Sequence, residues 1–271
     1  MTSNIDPLEQ LKATLKHAFP GDKILGDNID RIMDFVKNKK IAWNGDARSR
    51  QLSYDFLNEA ERDIKSYKVL YSKKIYPHAV YHFQQAVEKA MKGYCLALGM
   101  LSIEEVRSHD TPYVLLKGLL EKTGLRDMLQ GLNAESKSLL DKAWEAQHDL
   151  EKRLKIARMP IEEINFELNG IDNDREKTKQ ISDSLLPILL NLRVDSQPLP
   201  LEITTLPILA SLYRLGAVSF PHEAFTRYPD EEKMTPIEYS RDLGIVKAIP
   251  TMTKYLLTAL KELRLELAQI Q

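Results

Sequence analysis

The chain has 271 residues, of which 43% are hydrophobic and 28% charged, with 11 glycines; that usage excludes collagenous, low-complexity and wholly disordered proteins and leaves a folded chain of one large or two small domains. A formal net charge of -1 gives no global attraction to polyanions, which disfavours an extended nucleic-acid footprint, and the single cysteine, Cys95, excludes a disulfide scaffold or a thiolate cluster. The most apolar run, residues 185–192, is interrupted by Pro187 and Asn191, and the start Met1-Thr2-Ser3-Asn4 lacks the cationic and apolar parts of a signal peptide, so a cytoplasmic protein without a membrane span is expected.

From the N-terminus onward, apolar residues recur at helical period and almost no segment alternates as a strand does. The expected fold class is all-α, an antiparallel helical bundle. Asp6 as N-cap and Pro7 at the first helical position open a helix bearing Leu8, Leu11 and Leu15, which stops before Pro20-Gly21. A second helix covers residues 28–38, and Trp43-Asn44-Gly45-Asp46 reads as a turn. Ser53 then caps a long helix whose stripe is Leu57, Ala60, Ile64, Tyr67 and Tyr71, ending near Lys73. In residues 37–74 lysines and arginines outnumber acids, a local basic bias that solvated helix faces with ion pairs also explain.

Tyr76-Pro77 starts the next helix, which runs to Leu98 before Gly99 and turns Ala79, Val80, Phe83, Val87, Ala90, Met91, Tyr94 and Leu98 to one side. Asp110 or Thr111 caps a helix opened by Pro112 and closed by Gly124. Beyond it, residues 133–157 read as one long charged amphipathic helix, with residues 160–168 or 174–192 as its partner and a kink at Pro187. Residues 195–207 hold three prolines, Pro198, Pro200 and Pro207, and form the best linker candidate. Helices resume at 206–215 and 236–247, and the last covers 250–268.

Two polar residues are out of place in this scheme. Gln84 falls inside the apolar face of its helix, between Met91 and Cys95, and Glu88 lies at the edge of that face. An unpartnered buried amide or carboxylate costs on the order of 1 to 3 kcal/mol, so donors are needed, and His109, Arg227 and Tyr228 are the candidates. Such a network can fix helix register or hold a ligand.

The runs Ala60-Glu61-Arg62-Asp63-Ile64, Gln84-Gln85-Ala86-Val87-Glu88-Lys89-Ala90-Met91-Lys92 and His109-Asp110, followed later by Thr226-Arg227-Tyr228-Pro229-Asp230, resemble the HEPN domain family, named for nucleotide binding in higher eukaryotes and prokaryotes. The resemblance implies a helical bundle divided into an N-terminal helical extension (1–52), a first HEPN-like part (53–124), a helical insertion (125–205) and closing helices (206–271). It implies a nucleotide-binding or RNA-associated module without catalysis, a homodimer, and a nucleotidyltransferase partner in a toxin–antitoxin setting. Gln84, Glu88, Lys89, Lys92, His109, Asp110, Arg227 and Tyr228 are the binding residues expected from it. The enzyme alternative is a metal-independent endoribonuclease using His109 or His222 with Arg107 or Arg227. The family's ribonucleases pair an arginine with a histidine several residues later; Arg107 and His109 stand too close for that pattern, and Arg214 and His222 too far apart. A third reading is a structural adaptor whose insertion docks a partner. No cofactor is expected, and His78 with His82 at helical i, i+4 spacing lacks a third ligand for a metal.

Overall fold

The computed structural model describes residues 13, 47–99, 101–107, 146, 149–191, 205–223, 225–227 and 234–268. Among them the chain is helical, without a strand: α1 Ala47–Ser72, α2 Tyr76–Ala97, the short α3 Ile103–Arg107, α4 Leu150–Ala157, α5 Ile161–Asn191, α6 Leu206–Ser219 and α7 Gly244–Ala268, with 3-10 turns at Phe220–His222 and Pro236–Glu238. Apart from residue 13, the segments expected over residues 6–46, 109–124 and 195–204 lie outside the described residues.

α1 and α2 form a hairpin whose turn follows from hydrogen-bond bookkeeping. Lys74 N–H donates to Tyr71 O and Ile75 N–H to Leu70 O, at 3.0 and 2.9 Å. That pair of bonds closes a helix end when the residue between adopts left-handed backbone, and Lys74 has φ 62°. The expected apolar stripes meet here: Leu57, Ala60 and Ile64 pack with Val80, Phe83, Val87 and Ala90 in one buried cluster. Each large side chain so buried contributes about 1.5–3 kcal/mol.

α6 sits in the middle of the molecule. It is apolar enough to be buried on all sides, and Leu206 and every residue from Ile208 to Ser219 are buried, with α2, α5 and α7 packed around it.

Four boundaries differ from the sequence expectation. α1 begins six residues earlier than Ser53, because nothing between Ala47 and Ser53 breaks a helix; Ser53 is buried mid-helix and its hydroxyl donates to Gly93 O at 2.7 Å. The helix expected over residues 133–157 is interrupted at Asp149, which is extended (φ -127°, ψ 109°) and caps α4 by accepting from Lys152 N–H. The two segments expected at 160–168 and 174–192 are one helix, α5, running through Gly170 and Pro187. The helices expected at 236–247 and 250–268 are a single 3-10 turn followed by α7, which passes through Pro250.

The last difference has a local cause. Proline at position 250 cannot donate to the carbonyl of Val246, four residues back. That carbonyl accepts instead from the Tyr71 hydroxyl at 3.3 Å, so the helix continues with its orphaned acceptor satisfied by α1.

Candidate functional site

On α2 the half-buried polar residues Tyr81, His82, Gln85, Glu88 and Lys89, with buried Lys92, fall within roughly 120° of the helix at about 100° per residue. They make one polar stripe beside the apolar face. Gln84, fully buried, borders it.

The amide of Gln84 donates to Glu88 Oε2 at 3.2 Å, while Gln85 donates to Gln84 Oε1 at 2.8 Å and to Glu88 Oε2 at 3.2 Å. Lys92 Nζ lies 2.9 Å from Glu88 Oε1. Both misplaced groups thus find partners on their own helix, while His109 and Tyr228, two of the donors expected for them, lie outside the described residues. Helical spacing allows this, since residues three and four apart face each other.

Arg227 arrives from the segment after α6. Its Nε and Nη2 donate to Glu223 O at 3.2 Å and to Glu223 Oε1 at 3.1 Å, and its guanidinium lies 5.3 Å above the centre of the Tyr81 ring. Burial, and then the nearby Glu88 carboxylate, push the Glu223 carboxyl above its ordinary range, against the lowering effect of Arg227, Arg153 and Lys92. Three cations and two carboxylates from α2, α4 and the segment after α6 thus act on one another. Their formal sum is one positive charge, and Arg227 makes a cation–π contact with the Tyr81 ring.

Lys89 turns the other way. Its ammonium pairs with Asp63 of α1, whose second oxygen lies 2.8 Å from His82 Nδ1. On the helix it sits towards the α1 side of the same stripe. His82 sets its Nδ1 against Asp63 at 2.8 Å.

His222, one of the candidate bases, is 1% exposed. Its Nδ1 shares a 2.8 Å hydrogen bond with the Tyr239 hydroxyl, and Nε2 has no hydrogen-bond partner among the described residues. No substrate reaches a ring so enclosed, and the candidacy of His222 as a base is corrected on that ground. Burial pushes its pKa down to about 3. The folded state therefore keeps His222 neutral while the unfolded chain takes up a proton near the ordinary imidazole value, so the stability this residue supports is present above about pH 6.5 and is lost as pH falls below it. Urea unfolding at pH 7 and pH 5 is expected to show a loss of up to about 1.4 kcal/mol per pH unit from this group, and His222→Gln should flatten the slope by that amount; an unchanged slope contradicts the assignment.

His109, Asp110 and Tyr228 lie outside the described residues. Arg107 ends α3. The residues that sequence reasoning missed are Tyr81, Asp63, Arg153 and Glu223. Tyr81 lies on α2 itself, but only a pairing of α1 with α2, and of α4 with the turn after α6, brings Asp63, Arg153 and Glu223 to the stripe, and no spacing within the chain announces those pairings.

Residues 53–167 match the family model of the HEPN domain. The HEPN match contains all of α2 with its Gln-Gln-Ala-x-Glu-Lys run, the Asp63 of α1 and the Arg153 of α4, and ends within α5, before Arg227. Searches of curated proteins and of solved structures find no significant match. Among the described residues, no helix is long and apolar enough to cross a membrane.

Proposed function

We propose that this HEPN-matching protein is a cytoplasmic helical module that binds a nucleotide or RNA along the polar stripe of α2, with phosphate attracted by Lys92, Arg153 and Arg227 and a base stacked at the Arg227–Tyr81 pair. The observation that carries the reading is the convergence of Glu88 and Lys92 with Glu223 and Arg227 from a segment 131 positions or more away in sequence. A polar network on a helix that is otherwise core, joined by cations from two other elements, is the combination a small anionic ligand needs. A homodimer and a nucleotidyltransferase partner belong to the same proposal, as does the reading of residues 125–205 as an insertion.

Calorimetric titration with ATP, GTP and a short mixed-sequence RNA tests it. Binding to at least one is expected, weakening with salt. Arg227→Ala is expected to weaken it about ten-fold, the usual scale of a charge-assisted hydrogen bond. Glu223→Gln removes a neighbouring negative charge and is expected to tighten it roughly three-fold. Absence of heat with all three ligands removes the binding reading, and light scattering decides the dimer.

A further inference from the structure

Two stretches of the chain, residues 64–87 and residues 243–261, contain no aspartate or glutamate. They are far apart in sequence, yet the fold lays parts of them side by side. The Tyr71 hydroxyl of α1 reaches Val246 near the start of α7, and Asn58 and Glu61 bond Arg264 near its end. The two helices therefore run antiparallel along about five turns. The carboxylates at the ends of this seam are engaged: Glu61 pairs with Arg264, Glu262 with Arg175 of α5, and Asp242 lies 3.5 Å from Lys247.

Turning each helix by about 100° per residue puts Lys65 and Lys68 on the flank of α1 that adjoins α7, well away from Asp63, and Pro250 and Leu257 on the flank of α7 that adjoins α1. Lys254 and Lys261 come next around α7, on the solvent side. Seen from outside, a strip made by exposed Pro250 and by Leu257, 40% exposed, is bordered by a lysine pair from each helix. All four lysines are exposed, and none makes an ion pair or hydrogen bond among the described residues. The fold gains nothing from these charges, since like charges on neighbouring turns repel.

We propose that the α1–α7 seam docks an acidic amphipathic helix of a protein partner, a role separate from ligand binding on the α2 stripe. The docked helix sets branched apolar side chains on Pro250 and Leu257 and turns a row of glutamates or aspartates to each lysine pair. Three observations choose this occupant. Lys247, Lys254 and Lys261 recur every seven residues, about 10.5 Å apart along the axis, the repeat of a second helix laid alongside. An apolar centre with a charged rim is the layout of a protein interface, whereas a nucleic-acid backbone has no apolar ridge to seat there. An anionic membrane takes apolar side chains that stand beyond the charges, and Leu257 is more than half covered. The cationic rim selects an acidic partner and speeds its approach.

The experiment titrates the full chain, by fluorescence anisotropy, into a labelled synthetic helix of about three heptads with leucine at a and d and glutamate at e and g, whose own charges keep it from self-pairing. A scrambled peptide of the same composition, a short mixed-sequence RNA and phosphatidylglycerol vesicles are the other arms. The patterned peptide is expected to bind more tightly than the scramble, and about ten-fold more weakly when salt is raised from about 50 to 300 mM. Lys254→Glu and Lys65→Glu should each weaken it about ten-fold and Leu257→Ala about five-fold. Lys155→Glu, the same charge change on the exposed side of α4, should leave it unchanged. Should Leu257→Ala fail to fold by circular dichroism, the two variants at exposed lysines decide. The proposal falls if the patterned peptide does not bind, if the scramble binds as tightly, or if Lys155→Glu weakens binding as much as Lys254→Glu. It falls equally if Lys254→Glu removes binding of vesicles or RNA and not of the peptide.

Discussion

Arg214→Met is expected to destabilise the protein by about 3–5 kcal/mol. The guanidinium is 2% exposed in the middle of α6, with Nε donating to Asp174 Oδ2 at 2.6 Å and Nη1 to Glu167 Oε2 at 2.8 Å and Glu167 O at 3.1 Å. Both carboxylates come from α5 and are themselves nearly buried. Methionine fills much of the volume but leaves two carboxylates in the interior without the cation that balances them, and a broken buried pair costs far more than a pair replaced whole. Denaturant unfolding measures the loss. Combining Arg214→Met with Glu167→Gln and Asp174→Asn should recover a substantial part of it, and a midpoint unchanged in the single variant would contradict the electrostatic account.

Gly244→Ala is expected to cost about 3 kcal/mol or more, at the upper end of overpacking effects. A Cβ built at the first residue of α7 would stand 2.1 Å from the carbonyl oxygen of Met159 and 3.0 Å from the backbone of Pro160 and Ile161. These are main-chain atoms between α4 and α5, so no rotamer change can relieve the clash. The start of α7 must move away from that link, and the melting temperature should fall by several degrees; Lys247→Ala on the exposed face nearby should stay within about 0.5 kcal/mol. Equal stability of Gly244→Ala and the parent would mean that α7 enters the fold by another path.

Local rules read the α1–α2 hairpin well. The spacing from Leu57 to Tyr71 and from Ala79 to Leu98 states both the helices and the faces they bury, and the Gln-Gln-Ala-x-Glu-Lys run carries the HEPN resemblance that the family model matches over residues 53–167. The same rules misplace boundaries where a distant side chain reverses the local preference. The stretch between the segments expected at 160–168 and 174–192 contains Gly170, the gap that admits Arg214: a Cβ there would lie 2.4 Å from the guanidinium carbon. Pro250 reads as a helix start because the tyrosine that satisfies its vacated acceptor is 175 positions away.

The site divides in the same manner. Glu88, Lys92 and Gln84 belong to one helix and were legible as a group, since their relations are set by helical spacing. Asp63, Glu223 and Arg153 were not, because each enters through the packing of another element. Lys89 shows the limit most plainly: it follows Glu88 directly in sequence, yet one residue turns a helix by about 100° and sends it to a different partner.

The bond from Tyr71 to Val246 carries a consequence for biogenesis. A nascent chain finishes the α1–α2 hairpin before α6 and α7, which pack against it, have left the ribosome, so its apolar flank is uncovered during that interval. Slowing synthesis between the hairpin and the C-terminal helices lengthens that interval and is expected to lower the recovered fraction of folded protein.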